Sequence, residues 1–153
     1  MKQLKVDAIK NGTVIDHIPG GKGVQVMKIL NGCRQDPVSM GMNLPSSKFG
    51  KKDILKIENH ELNPEDVNRI AIIAPTATIT IIREFEVQEK WVVRIPMELK
   101  NIVHCPNPNC ITNKEELPTK FDIEGSPANG SGEFMCHYCE KIYNSEELKI
   151  KAG

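Results

Sequence analysis

The most distinctive stretch of the chain is Cys105-Pro106-Asn107-Pro108-Asn109-Cys110, which is answered 25 residues later by Cys136-His137-Tyr138-Cys139. The spacings C-x4-C and C-x2-C let four thiols converge on one tetrahedral ion, and thiolate is the ligand that best suits Zn²⁺. Four protein ligands leave no coordination position for water or substrate. The pattern therefore predicts one structural zinc ion per chain, bound by Cys105, Cys110, Cys136 and Cys139.

Two disulfides or four unrelated thiols are the alternatives to a metal. Disulfides need an oxidising compartment, and the chain begins MKQLKVDAIK, with no apolar signal core behind the basic start. His104 and His137 adjoin ligand cysteines, but four cysteines already complete the tetrahedron, so we expect both histidines at the surface. No run approaches the roughly eighteen apolar residues of a membrane span, so we expect a soluble, cytoplasmic protein with no membrane partner.

The distribution of cysteines and charges favours two small domains, which we assign to residues 1–96 and 97–153. Four of the five cysteines lie in the second segment, which is short enough that its folding should depend on the metal. The first segment carries 14 basic and 11 acidic residues, and the second carries 6 and 9, so their net charges are +3 and −3. This argues against nucleic acid at the zinc domain and favours the first domain for an anionic ligand.

The first domain shows alternating strand and helix patterns. We expect strands over 4–9, 13–18, 38–44, 53–58, 76–82 and 84–93. One helix carries a broad apolar stripe of Val24, Met27 and Leu30, flanked by Val26, Ile29 and Cys33, with Gly32 at its expected C-terminal cap. Another helix begins at Asn63-Pro64. This order predicts an α+β, ferredoxin-like antiparallel sheet with two helices on one face, followed by a small β-rich four-cysteine zinc domain.

Motifs that would name an enzyme are absent from the sequence. It contains no Gly-rich phosphate loop, no G-x-S-x-G elbow and no H-x-E before its cysteine pairs. A zinc-ribbon adaptor for nucleic acid and a metalloenzyme stay open as alternatives. The negative zinc domain speaks against the adaptor, and the closed metal site speaks against the enzyme.

Six short segments follow one another in a recognisable order. They are GTVIDHIP at 12–19, NLPS at 43–46, KDILKIEN at 52–59, AP at 74–75, CPN at 105–107 and YCEK at 138–141. Together they resemble the family of aspartate carbamoyltransferase regulatory chains, over almost the whole length. The resemblance implies a non-catalytic chain of pyrimidine biosynthesis for which CTP is an inhibitor, ATP an activator and UTP a partner of CTP. It also implies a homodimer formed through the N-terminal domain, and zinc-domain contacts to catalytic chains, with two catalytic trimers and three regulatory dimers in the assembly.

The resemblance also implies a set of nucleotide contacts, carried over position by position. The set is Ala8, Ile9, Val14, Asp16, His17, Lys52, Lys56, Thr80, Ile82, Phe85, Val87 and Lys90. Ala8, Ile9 and Val14 fall near the base, whose polar edge is read by backbone groups of Ile9 and Phe85. Asp16 and Lys56 fall at the ribose, and His17 and Lys90 fall at the phosphates. Lys52 falls at a second nucleotide, while Ile82 and Val87 line the pocket.

Two of these positions depart from the enterobacterial pattern, where Asn is expected for Thr80 and Tyr for Phe85. The change at Thr80 leaves the base preference and the response to UTP open. In isolation, lysines such as Lys52, Lys56 and Lys90 are more often solvated side chains on strand edges than ligand contacts. For the catalytic chain, we expect polar contacts from Asn107, Asn109 and Lys141, with a solvated loop as the alternative.

Overall fold

The computed structural model describes residues 8–30, 35–48, 50–124 and 133–151. Its N-terminal elements are β1 (Gly12–Pro19), α1 (Gly23–Ile29), β2 (Val38–Ser46), β3 (Gly50–Glu58), α2 (Pro64–Ile73), β4 (Thr78–Arg83) and β5 (Glu86–Val92). Its C-terminal elements are β6 (Glu98–Lys100), β7 (Val103–His104), α3 (Ile111–Lys114), β8 (Lys120–Glu124), β9 (Glu133–Cys136), β10 (Ile142–Asn144) and β11 (Lys149–Ile150).

The five N-terminal strands form one antiparallel sheet in the order β2-β3-β1-β4-β5. Hairpins join β2 to β3 and β4 to β5. Helix α1 connects β1 to β2, and helix α2 connects β3 to β4. The predicted alternation of strands and helices and the antiparallel pairing are therefore confirmed over residues 12–92.

The boundaries differ from the prediction at several elements. β4 begins at Thr78 rather than Thr76, and Glu84 and Phe85, which were expected to begin the next strand, form the turn before β5. Residues 4–7 of the expected first strand, and the expected helix cap at Gly32 and Cys33, lie outside the described residues, while Ala8 and Ile9 are not in a strand. The hairpin between β2 and β3 is tighter than expected, because Pro45 belongs to β2 and pairs with Lys51. β2 is an edge strand, where a residue without a backbone donor is tolerated.

One face of this sheet is buried and the other is open. Ile15 of β1 lies opposite Leu55 of β3 and Ile79 of β4, and all three side chains are fully buried. They pack in one cluster with Val26 of α1 and Ile70 of α2. The alternate positions along the same strands are only half-buried, since no helix among the described residues covers them. The sheet thus has one buried face and one partly exposed face.

The two helices agree with the sequence to different degrees. At α2 the Asn63 side chain accepts a hydrogen bond from the Asp66 N–H at 2.8 Å, with Pro64 in the first turn, as the start signals predict. At α1 the expected broad stripe is confirmed at Val26 and Leu30, which are 0% and 3% exposed, and is wrong at Met27, which is 37% exposed. The buried face is therefore centred on Val26 rather than on Met27.

The C-terminal half adds its own buried side chains to the hydrophobic cluster of the chain. Its sheet has the order β10-β9-β8-β6, and β11 pairs separately with β7. Phe121, Phe134 and Leu99 are fully buried there, beside the cysteines. The halves touch through Arg69 of α2, whose Nε donates to the Lys151 carbonyl at 3.0 Å. Among the described residues, no helix has the length and apolar character that a membrane span requires.

Candidate metal centre and nucleotide-binding surface

The four predicted metal ligands meet at one point. The sulfur atoms of Cys105, Cys110, Cys136 and Cys139 all lie within 4.8 Å of one another. The Cys105–Cys139 and Cys110–Cys136 sulfur separations are 3.7 and 3.8 Å. A tetrahedral ion about 2.3 Å from each thiolate would set sulfurs about 3.8 Å apart, so the cluster suits a metal such as zinc. A disulfide needs about 2.0 Å, and the four thiols are free.

Local hydrogen bonds shape the loops that present these cysteines. In the first loop the Asn113 side-chain nitrogen donates to the carbonyls of Cys105, at 2.8 Å, and Asn107, at 2.7 Å. In the second, the Cys136 N–H donates to the Lys141 carbonyl, and the Glu140 N–H donates to the Cys136 carbonyl. Sequence reasoning missed Asn113. Its place three residues after a ligand cysteine, on α3, is a signal that becomes meaningful only once the loop closes.

The surroundings shift the pKa values of Cys105, Cys110 and Cys136 in different directions. Burial, together with the neighbouring thiols, raises the pKa of Cys105 and of Cys136. Burial acts in the same direction on Cys110, but hydrogen bonds from the Thr112 hydroxyl and N–H outweigh it and lower the pKa of Cys110 to about 7. Because thiolates are the form that binds a metal, metal binding at these cysteines must displace protons.

The expected partner contacts beside the cysteines differ in exposure. Asn109 and Lys141 are exposed, whereas Asn107 is only 9% exposed and its side-chain oxygen accepts the Asn109 N–H at 3.0 Å. A buried side chain that holds its own loop is better suited to positioning than to surface contact. His104 and His137 lie at the surface, as expected.

On the open face of the N-terminal sheet, candidate nucleotide contacts from four strands stand in one row. Val14 of β1 lies opposite Lys56 of β3 on one side and Thr80 of β4 on the other, and Thr80 lies opposite Lys90 of β5. Directly opposed residues of antiparallel strands share a face, with Cβ atoms about 5 Å apart. Two residues further along β4, Ile82 lies opposite Val87 of β5. The structure thus brings together residues that are up to 76 positions apart in sequence.

Three polar candidate residues lie at or beside the end of β1, namely Asp16, His17 and Lys52. The register between β1 and β3 shifts between Ile15 and Ile18, and His17 has a φ of 56°. Asp16 is bound to Lys52, whose Nζ lies 2.9 Å from its Oδ1, in an ion pair with side chains about one quarter exposed or less. The His17 Nδ1 lies 3.0 Å from the Thr78 hydroxyl. Asp16 and Lys52, expected at two different nucleotides, therefore neutralise each other here.

The turn between β4 and β5 meets the segment before β1. Glu84 and Phe85 have φ values of 50° and 64°, and the Phe85 N–H donates to the Lys10 carbonyl at 2.9 Å. Because the Phe85 N–H already donates to this carbonyl, a nucleotide base at this position would be bound by the Phe85 carbonyl oxygen instead. Ile9 is buried, Ala8 is exposed, and the Phe85 ring is 65% exposed.

A buried carboxylate supports this end of the sheet, and sequence reasoning did not single it out. Asp53 of β3 is fully buried and accepts the N–H groups of Gly21, Gly23 and Asn43, at 3.0, 2.8 and 2.8 Å. It ties the start of α1 to β2. A Cβ on Gly23 would lie 2.9 Å from its carboxylate, so glycine is needed there.

Comparison with known proteins covers both halves. A family model described as aspartate carbamoyltransferase regulatory chain, allosteric domain, matches residues 4–94, and one described as the metal binding domain of the same chain matches residues 97–149. Proteins named aspartate carbamoyltransferase regulatory chain are 50% identical in Thermococcus sibiricus, over 99% of this chain and 98% of the relative, and 49% identical in Pyrococcus horikoshii, over 97% of each. The one from Methanocaldococcus jannaschii is 50% identical over 94% of this chain and 95% of its own length.

These matches define the class of the protein: a regulatory chain that has an allosteric domain and a metal-binding domain and no catalytic role. The chain belongs to the family of aspartate carbamoyltransferase regulatory chains. The metalloenzyme hypothesis is therefore wrong, and the nucleic-acid adaptor is set aside as the primary function.

Proposed function

We propose that the chain binds nucleoside triphosphates on the open face of its N-terminal sheet and transmits their presence to the aspartate carbamoyltransferase catalytic chain. CTP inhibits, ATP activates and UTP acts with CTP in this proposal, which concerns pyrimidine biosynthesis. The row of Val14, Lys56, Thr80 and Lys90 across neighbouring strands is the observation that carries it. A flat, half-buried surface with lysines at both ends suits a base and sugar flanked by charged groups.

The chemistry of the individual residues supports the proposed contacts. Ammonium groups of Lys56 and Lys90 donate charge-assisted hydrogen bonds to hydroxyl and phosphate oxygens, and a protonated His17 can do the same. The aliphatic side chains of Val14, Ile82 and Val87 offer surface for a base, whose edge meets the backbone of Ile9 and Phe85. Ala8, which precedes Ile9 in the chain, is the remaining proposed contact to the base.

The ion pair between Asp16 and Lys52 gives a reason for two nucleotides to act together. A ribose hydroxyl that binds Asp16 competes with Lys52 for the carboxylate, and this frees the ammonium for a second triphosphate. Thr80 and Phe85 leave the order of affinities for CTP, ATP and UTP to measurement.

For the metal-binding domain we propose one structural Zn²⁺, held by the four cysteines, and docking on the catalytic chain through Asn109 and Lys141. Asn107 would set the shape of the docking loop. We also propose the domain boundary at residues 96 and 97, which is supported by the matched ranges 4–94 and 97–149. The strand order β2-β3-β1-β4 supports a ferredoxin-like class for the first domain.

The assembly follows from the same proposal. Regulatory chains pair as homodimers through the N-terminal domain, and three such dimers join two catalytic trimers in the cytoplasm. Co-purification with the catalytic chain tests the docking. Asn109→Ala with Lys141→Ala should weaken assembly, whereas Lys114→Ala, also an exposed lysine of the metal-binding domain, should not. Unchanged assembly of the double variant would contradict these contacts.

The nucleotide proposal is tested by calorimetric titration of CTP and ATP into the zinc-loaded chain. We expect Lys56→Ala and Lys90→Ala each to weaken binding at least tenfold, because each removes a charge-assisted hydrogen bond worth about 1.5–3 kcal/mol. Lys48→Ala, in the turn between β2 and β3, should leave the affinity unchanged. Equal affinities of all three variants would refute the site.

The allosteric claim needs the assembled enzyme. CTP is titrated with and without a bound substrate analogue on the catalytic chains. Linkage requires a change in nucleotide affinity, and a coupling of about 1–3 kcal/mol corresponds to about 5–150-fold. Identical affinities would leave binding intact and remove the allosteric role.

A further inference from the structure

A cavity of about 500 Å³ lies between the two halves of the chain, away from both sites described above. Its walls come from α1, from the end of α2 and from residues 145–150 of the metal-binding domain. Small-molecule sites often occupy such boundaries, with volumes of roughly 300–1,000 Å³. The proposed nucleotide contacts stand on the opposite face of the sheet, so the cavity is a separate place on the molecule.

The inner wall of the cavity is aliphatic. Ile72 and Leu148 are 4% and 7% exposed, and Ile29, Ile73 and Ile150 are half-buried. Ile29, Ile72 and Ile73 belong to the allosteric half. Leu148 and Ile150 belong to the metal-binding half, where Ile150 lies on β11, the strand that pairs with β7. A wall of this kind favours a ligand with an aromatic or alkyl body and disfavours a fully hydrated ion.

The charge around the cavity is positive. Lys22, Lys28 and Lys149 line it, against one acid, Glu146. Gln25 and Ser145 add uncharged groups that can hydrogen-bond. Because three ammonium groups face one carboxylate, an anionic head is the complement of this lining.

We propose that this cavity is a second ligand site, for a small amphipathic anion: a carboxylate or sulfonate on an aromatic or short alkyl body. The apolar wall takes the body, and Lys28 and Lys149 take the head. Since α1 and Lys149 belong to different halves, the ligand touches both sides of the boundary that Arg69 also bridges.

The probe is anilinonaphthalene sulfonate, whose fluorescence rises in apolar surroundings, titrated into the full-length, zinc-loaded chain. We expect saturable binding of one dye per chain, with the same affinity in the presence of CTP. The double variant Lys28→Glu with Lys149→Glu should bind the dye at least tenfold more weakly. Ile73→Trp, which fills the apolar end, should abolish the saturable signal.

The matched control is Lys114→Glu with Lys141→Glu, which makes the same change of net charge at exposed lysines outside the cavity. Zinc content and thermal unfolding confirm that every variant is folded. The site is refuted if the two double variants lose affinity equally, if Ile73→Trp still binds the dye, or if CTP displaces it. A neutral dye without the sulfonate should bind at least tenfold more weakly, and equal binding would refute the selectivity for anions.

Discussion

The two halves of the chain are held together by different means. The allosteric half buries aliphatic side chains from three neighbouring strands and two helices, with Ile15, Leu55, Ile57, Ile70 and Ile79 all fully enclosed. The metal-binding half has strands of two to five residues around Phe121 and Phe134, and three of its four ligand cysteines are buried in the same core. In the first half packing alone closes the core, whereas in the second the cysteine cluster is part of it.

This difference predicts different sensitivities. A short domain with few buried residues cannot offset its chain entropy without a staple, so the second half should respond to metal and the first should not. The contact through Arg69 and the buried residues shared across the boundary decide how far a loss of stability in one half reaches the other.

The largest effect is expected from Cys136→Ser. Structural zinc contributes about 10–16 kcal/mol in small zinc-dependent folds, so losing one fully buried ligand should release the metal and unfold the second half. Hydrogen exchange should show lost protection in β8 and β9 and retained protection in β1 and β3. Cys33→Ser is the matched control and should keep the zinc. Retained protection of β8 in the metal-free variant would contradict the comparison.

Asp53→Ala is expected to lower the stability of the first half only. The substitution leaves one buried and two partly buried N–H groups without their acceptor and should cost about 3–5 kcal/mol in urea unfolding. Zinc content should stay at one per chain. Glu86→Ala, at an exposed position on β5, should change stability by less than about 0.5 kcal/mol. An equally small loss for Asp53→Ala would show that the carboxylate is dispensable.

A smaller effect, at the boundary, is expected from Arg69→Met. The guanidinium is 7% exposed, bonds to the Lys151 carbonyl and pairs with Asp66. Its removal should cost about 1–3 kcal/mol and separate the unfolding of the two halves into two transitions in calorimetry. Arg94→Met, at an exposed arginine, should leave the transition unchanged. A single unshifted transition for Arg69→Met would mean that the halves are coupled elsewhere.

The smallest effect concerns the exposed pair of Arg83 and Glu61. Two hydrogen bonds, of 2.6 and 3.0 Å, hold the pKa of Glu61 below its ordinary value of 4.5. The pair therefore stabilises the fold above the unfolded pKa and loses this contribution as pH falls through the lowered folded pKa. In an NMR titration Arg83→Gln should raise the pKa of Glu61 toward its ordinary value, and Arg94→Gln should not. An unshifted pKa in Arg83→Gln would mean that the pair is absent in solution.

Local signals in the sequence predicted the features that depend on neighbours in the chain. Each cysteine pair and the Asn63-Pro64 start of α2 are patterns of a few residues, and the four cysteines also share one chemistry, which predicts that the two pairs meet. The exposure of Met27 and the Asp53 hydrogen bonds were not predictable in this way, because they depend on how α1 and β3 pack in the folded chain. The burial of Asn107 depends on the closed shape of its own loop, which the spacing does not give.

The nucleotide candidates show the same limit. The resemblance supplied the residues, but only the strand register shows that Val14, Lys56, Thr80 and Lys90 stand in line. The pairing of Asp16 with Lys52 follows from the register shift between Ile15 and Ile18 at the end of β1. No periodic pattern in the sequence predicts this shift.

The turn at Glu84 and Phe85 has one more consequence. Both residues occupy the left-handed region, where glycine or asparagine would sit with less strain, at a cost of roughly 1–2 kcal/mol for each side chain. An Asn-Gly pair would form the same hairpin with less backbone strain. The described fold therefore does not require an exposed aromatic ring at position 85. Such a ring would instead serve a contact with a ligand or a partner chain.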